Sequence, residues 1–137
     1  AEYAARHFLA LMEYGWATGD TQPMRDFSTD TCTPCQDMIA RIDEVYSSGD
    51  WEDSAKYTVR RIIRNEVVEG YEDVPPNTYG VQMLVELPEN TSYRSGKLEK
   101  NPKSLEKTSF FVTWDGSSWK VTLAANESVT EDEAKAL

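Results

Sequence analysis

The hydrophobic period of this chain changes once, near Tyr57, and that change restricts the fold more than any other feature. Before it, apolar residues recur at the three- and four-residue spacing of helices. After it, Val, Ile and aromatic residues alternate or run in short blocks, as they do in strands. A helical half followed by consecutive strands predicts an α+β layer fold, because neighbouring parallel strands need a crossover helix between them. At 137 residues the chain suits one domain with an ordinary hydrophobic core. The expected division is a single α+β domain over residues 1–125 and an acidic C-terminal tail over 126–137.

The first helix is expected from about Glu2 to Ala17. On a wheel of about 100° per residue, Glu2, Arg6 and Glu13 crowd into one narrow sector. Ala4, Phe8, Leu11, Met12, Gly15 and Trp16 spread over the opposite side, which predicts a mostly buried helix. Tyr3, His7, Ala10 and Tyr14 share a semipolar strip, the expected border of a cavity, so Tyr3, His7 and Tyr14 are the candidate ligand-binding residues. Gly19 suits a C-terminal cap, and Asp20 or Thr21 can cap a short turn over Pro23 to Phe27. A second helix starts at Thr33-Pro34-Cys35-Gln36, with Thr33 as N-cap, Pro34 as first helical residue and Gln36 as capping-box partner. Met38, Ile39, Ile42, Val45 and Tyr46 form its apolar face, and Ser48-Gly49-Asp50 ends it.

About four strands follow. Tyr57 to Val68 is the first, and Ile62-Ile63 and Val67-Val68 break its alternation, which predicts a bulge or a strong bend. Tyr79 to Leu87 alternates cleanly and should have one buried face. Leu105 to Trp114 and Trp119 to Ala124 flank the turn signal Asp115-Gly116 and form a hairpin. Pro88 to Ser104, long and polar, is expected as a mobile loop. The acidic run Glu127 to Glu133 reads as a frayed end or a short helix.

The net charge of −10 argues against nucleic acid, whose binding rests on Lys and Arg displacing counterions. No apolar stretch approaches the roughly 20 residues of a membrane-spanning helix. Ala1 is read as an interior start, since Glu2 to Ala5 is already helical in character.

Cys32-Thr33-Pro34-Cys35 has two readings. A thiolate at a helix N-terminus is stabilised by free backbone N–H groups and becomes reactive. Against that, the preceding Asp26 to Thr31 is polar and turn-forming where a redox motif is usually led in by a strand. The other reading is a structural disulfide in an exported protein, contributing about 2 kcal/mol for so short a loop. Two cysteines and one histidine are too few for a zinc site, and no catalytic set accompanies His7. Neither metal nor cofactor is expected. Glu52-Asp53 and Glu72-Asp73 lie in loop-like runs and read as solvated acids. Arg60 and Arg64 share a face of the first strand, where Arg60, Arg61 and Arg64 either orient an anion or, as is commoner, pair with acids such as Glu86. Phe110, Phe111, Trp114 and Trp119 are expected in the core.

The run Tyr14-Gly15-Trp16-Ala17-Thr18-Gly19-Asp20, the motif Cys32 to Cys35 and the helix ending in Ser48-Gly49 resemble domain-of-unknown-function family 6318. The resemblance implies an exported actinobacterial lipoprotein, held outside the cytoplasmic membrane by a lipidated cysteine upstream of Ala1. The order of elements is also similar to the nuclear-transport-factor-like and cystatin-like superfamily. That likeness implies N-terminal helices packed on a curved antiparallel sheet, a cone that serves ketosteroid isomerases and non-catalytic binding modules alike. No residue of this chain matches the isomerases' acid–base set. The expected function is therefore a non-enzymatic binding or interaction module of the cell envelope, extracytoplasmic and lipid-anchored. It would use a small-molecule pocket or an envelope protein partner, and meet the membrane only through the upstream anchor. The alternatives are an isomerase-type enzyme using His7, Tyr14 and Tyr46, and a thiol oxidoreductase using Cys32 and Cys35.

Overall fold

The computed structural model describes residues 1–53, 56–68, 70, 71 and 73–137. Helices α1 (Glu2–Thr18), α2 (Gln22–Phe27) and α3 (Thr33–Ser47) come first. Strands β1 (Trp51–Glu52), β2 (Thr58–Val67), β3 (Thr78–Leu87), β4 (Asn90–Arg94), β5 (Lys97–Asn101), β6 (Ser104–Trp114) and β7 (Trp119–Val129) follow, and α4 (Glu131–Lys135) closes the described chain. The fold is α+β, as the change of period predicts. Strands β2, β3, β6 and β7 form an antiparallel four-stranded sheet in that order.

The core lies between the helices and one face of this sheet. Phe8 of α1, Met24 of α2 and Ile39 and Ile42 of α3 meet Val81, Met83 and Val85 of β3, Phe110 and Val112 of β6 and Val121 of β7. Phe8 meets Phe110 edge-on, with ring centroids 5.3 Å apart, and its full burial contributes roughly 1.5–3 kcal/mol. Register shifts on β2 between Val59 and Arg61 and between Ile62 and Arg64 mark the irregularity that the paired isoleucines predict. The sheet's far face is also partly covered. Leu84 and Leu105 are buried there against Ala134, with Ile63, Val129 and Leu137 around them.

That second cluster corrects two expectations. Strand β3 buries residues on both faces, because Leu84 lies under α4. The residues set apart as a tail from 126 onward continue β7 to Val129 and then form α4, so of the two readings of the acidic run the short helix is the one present. A reciprocal capping box starts that helix: Thr130 Oγ1 accepts from Glu133 N at 3.1 Å, and Glu133 Oε1 accepts from Thr130 N at 3.0 Å.

The segment Pro88 to Ser104, expected as a mobile loop, holds the hairpin β4–β5. With β1 it makes a second antiparallel sheet in the order β1-β4-β5. Its two-residue turn is Ser95-Gly96, with φ of 51° and 85°, the left-handed pair that hairpin turns of the right twist need. Arg94, at the end of β4, pins the hairpin to β1, donating to Trp51 O at 2.7 Å and Glu52 Oε1 at 3.1 Å.

Helix α1 is less buried than its composition predicts. Its buried residues are Ala4, Ala5, Phe8, Leu9, Met12 and Gly15, a single stripe facing the sheet and the other helices. The start of α3 also differs from the expected capping box. Cys32 is the N-cap, with its sulfur accepting from Cys35 N at 3.3 Å, while Thr33 is already helical. Gln36 does not reach back to a cap; its Nε2 donates to Thr29 O at 3.1 Å. The Cys32–Cys35 disulfide holds the Cys32 sulfur over the first turn, where a Ser or Thr oxygen would otherwise sit.

Candidate functional site

A cleft of about 110 Å³ opens where α1 and the start of α3 leave the face of the sheet. Its walls are apolar: Leu9 and Met12 from α1, Met38 from α3, Val85 from β3, Phe110 from β6 and Ala124 from β7. These positions follow from strand period, since β3 and β6 turn alternate residues toward the helices.

The same alternation brings polar groups to one end. Phe110, Thr108 and Glu106 share a face of β6, and Thr108 lies opposite Asn126 across the β6–β7 ladder. Thr108 Oγ1 donates to Asn126 Oδ1 at 3.0 Å, and Asn126 Nδ2 donates to Glu106 Oε2 at 2.6 Å. Tyr57, just before β2, completes this end. Glu13 Oε1 accepts from its backbone N–H at 2.6 Å, fixing the tyrosine against α1. Burial first, and then the charges of Glu52, Glu106 and Glu13, hold the Tyr57 hydroxyl well above the usual tyrosine range. It therefore remains a neutral donor at any physiological pH.

The residues expected to line a cavity lie elsewhere. Tyr3 is 68% exposed and Tyr14 44% exposed, and none of Tyr3, His7 and Tyr14 contributes to the cleft wall. On the helical wheel they fall roughly opposite Leu9 and Met12, which are the residues α1 turns toward the cleft. His7 is half-buried between Tyr3 and Phe27, with ring centroids 5.7 and 4.9 Å away. Tyr14 donates to Asp20 Oδ2 at 3.1 Å. Tyr46 donates its hydroxyl hydrogen to Trp16 O and accepts from Glu52 N at 3.5 Å, tying α3 to the end of α1 and to β1. All three are engaged in holding the helices together.

The remaining candidates resolve in the same way. Cys32 and Cys35 form the disulfide and are 0% and 1% exposed. Arg60 pairs with Glu86 at 2.6 Å and with Glu131 at 3.0 Å, the commoner of the two readings for this row. Arg61 donates to the carbonyls of Ala134 and Leu137, and Arg64 pairs with Glu66. Of the four aromatics expected in the core, Phe110 is buried and Trp119 is partly buried against the core; Phe111 faces the far side of the sheet and Trp114 is exposed. Glu72 lies outside the described residues. Among the described residues, no three of His, Cys, Asp and Glu gather closely enough to hold a metal, and no helix is long and apolar enough to cross a membrane. A larger depression, about 770 Å³, lies on the far face of the sheet between Phe111, Arg64 and the end of α4. Val68, Tyr71 and Val74 form another part of its wall.

Residues 1–125 match the Family of unknown function (DUF6318). The chain belongs to this family. The DUF6318 match ends within β7, before α4. No curated protein matches the chain in sequence. Among solved structures, it is similar to the intermembrane space region of the chloroplast protein ARC6, with a TM-score of 0.68, 14% identity and coverage of 93% of this chain and 94% of that one. An uncharacterised protein with a cystatin-like fold from Caulobacter vibrioides aligns at a TM-score of 0.55 and 9% identity, covering 98% of this chain and 94% of that one. An NTF2-like protein of unknown function from Shewanella baltica aligns at 0.51 and 13% identity, covering 95% and 94%. At these identities the likeness is one of fold, and this DUF6318 chain has the NTF2-like and cystatin-like architecture that its order of elements implies.

Proposed function

We propose that this chain is a non-enzymatic binding module of the bacterial cell envelope, and that it holds a compact, partly apolar group in the cleft between α1, α3 and the sheet. The observation that carries this reading is the composition of the cleft: apolar walls with Tyr57, Glu106, Thr108 and Asn126 converging at one end. Binding sites combine these two features. The volume of about 110 Å³ limits the occupant. Drug-sized ligands occupy roughly 300–1,000 Å³, whereas an apolar cavity of about 150 Å³ takes benzene. A short chain, a small ring or one side chain of a partner fits; a sterol does not.

The buried disulfide supports an extracytoplasmic site, since such bonds persist in oxidising compartments. In this reading the protein is held at the membrane by the lipid anchor that the family resemblance places upstream of Ala1. Burial of both sulfurs speaks against thiol exchange, which requires an accessible sulfur for the attacking thiolate. Glu106 and Tyr57 give the cleft a carboxylate and a neutral donor, as isomerase chemistry would need. The space is too small for a polycyclic substrate.

The test is a screen of compact molecules, up to about six carbons on the scale set by the benzene-sized cavity, read by thermal shift and by amide chemical shifts. Binders should raise Tm and move resonances of Tyr57, Thr108 and Ala124. Ala124→Phe, which fills the cleft, should abolish both effects while staying folded. A screen in which no member moves the cleft resonances would sink the proposal.

A further inference from the structure

The cleft is charged with one sign only. Among the described residues, Glu106 is the sole carboxylate in its lining, and no Lys, Arg or His lines it. One oxygen of Glu106 accepts from Asn126 Nδ2 at 2.6 Å. Glu106 makes no salt bridge among the described residues, although its neighbour Lys107, on the opposite face of β6, pairs with Glu127 at 2.9 Å. Glu86, Glu131 and Glu52 all have arginine partners. What distinguishes Glu106 is its place: it lines a partly apolar cleft and has no ion-pair partner among the described residues.

Two further features favour a positive occupant. Glu13, whose carboxylate accepts from the Tyr57 backbone N–H at 2.6 Å, adds negative charge of the same sign close to this end of the cleft, which disfavours an anion there. The Met12 and Met38 side chains line the opposite wall, and polarisable thioethers and the Tyr57 ring tolerate an alkylammonium far better than a carboxylate. Over longer range the net charge of −10 steers cations toward the molecule.

From this geometry we infer that the group held by the cleft is an alkylammonium: a short carbon chain or small ring lies against Leu9, Val85 and Phe110, and its nitrogen donates to Glu106. The inference rests on the binding role proposed above and names the chemical class of its ligand. A free amine and the end of a lysine side chain present the same chemistry, and the test separates them.

The experiment titrates the protein with n-butylammonium, 1-butanol, pentanoate and N-acetyl-lysine methylamide, following amide resonances of Tyr57, Thr108 and Asn126. Butylammonium should bind about tenfold tighter than butanol, the increment of a hydrogen bond to a charged partner, and pentanoate should not bind. Glu106→Gln keeps an acceptor for Asn126 and should reduce that preference to within about twofold, with butanol binding retained. Equal affinity of butanol and butylammonium in the wild type would overturn the charge assignment while leaving a binding cleft. Absence of binding by every member would overturn the binding role as well. If the lysine derivative binds at least as tightly as butylammonium, the ammonium is drawn from a protein partner; if it fails where butylammonium binds, the source is a free amine.

Discussion

Gly19 sits where two constraints meet. Its φ of 77° terminates α1 in the left-handed conformation, and its N–H donates to Gly15 O at 2.8 Å. A Cβ there would also stand 2.7 Å from the Tyr46 ring. Gly19→Ala should therefore destabilise the protein by about 1–3 kcal/mol, from backbone strain and overpacking together, as measured by urea denaturation. Asp115 acts locally at the β6–β7 turn. Its Oδ1 accepts from Ser117 N at 2.9 Å and Ser118 N at 2.8 Å, and these hydrogen bonds lower its pKa from 3.8 to about 2. A carboxylate depressed in the folded state stabilises above its unfolded pKa and loses that contribution as pH falls through the folded one. Asp115→Ala should lower Tm at pH 7, and the gap to wild type should close as pH drops from about 4 towards about 2. A gap that persists at the lower limit would contradict the assignment.

Among the elements, α4 depends most on one side chain. Arg60 joins β2 to Glu86 on β3 and to Glu131 at the start of α4, and Arg61 holds the far end of the helix by two carbonyls. A helix of five residues has almost no stability of its own, because nucleation is unfavourable. It persists through its capping box, these arginines and the burial of Ala134 on Leu84 and Leu105. Arg60 lowers the pKa of both Glu86 and Glu131, so this clamp is present at neutral pH and weakens in acid. Arg60→Met should speed hydrogen exchange in α4 at pH 7 while leaving the β3–β6 ladder protected. Thr130→Ala removes half of the capping box and should act in the same place, with a loss of about 1 kcal/mol.

For the whole molecule, the disulfide is a local fastening. The core between the main sheet and helices α1, α2 and α3 is built from long-range contacts, whereas Cys32 and Cys35 lie three residues apart. Replacing both by Ser should leave the fold intact and lower stability by about 2 kcal/mol, which denaturation of the variant would show. In the native protein neither sulfur should react with iodoacetamide after mild reduction, since both are buried; ready labelling would reopen the redox reading.

Period and punctuation alone specified the helical first half, the β2 irregularity, the alternation of β3 and the Asp115-Gly116 hairpin, because each depends on residues close in the chain. The cap at Thr130 and the Ser95-Gly96 turn were equally local and carried readable signals, a Thr-x-x-Glu capping box and a two-residue turn. The cleft was not legible in this way. Wheel geometry separates the faces of α1, but which face meets the sheet depends on partners more than forty residues distant. Tyr57 reaches Glu13, and Glu106 reaches Asn126, only once the chain has closed on itself. Tyr3, His7 and Tyr14 looked suitable by residue type. Tertiary packing turned the plain stripe of Leu9 and Met12 to the cavity instead, because burying apolar surface outweighs placing semipolar rings inside.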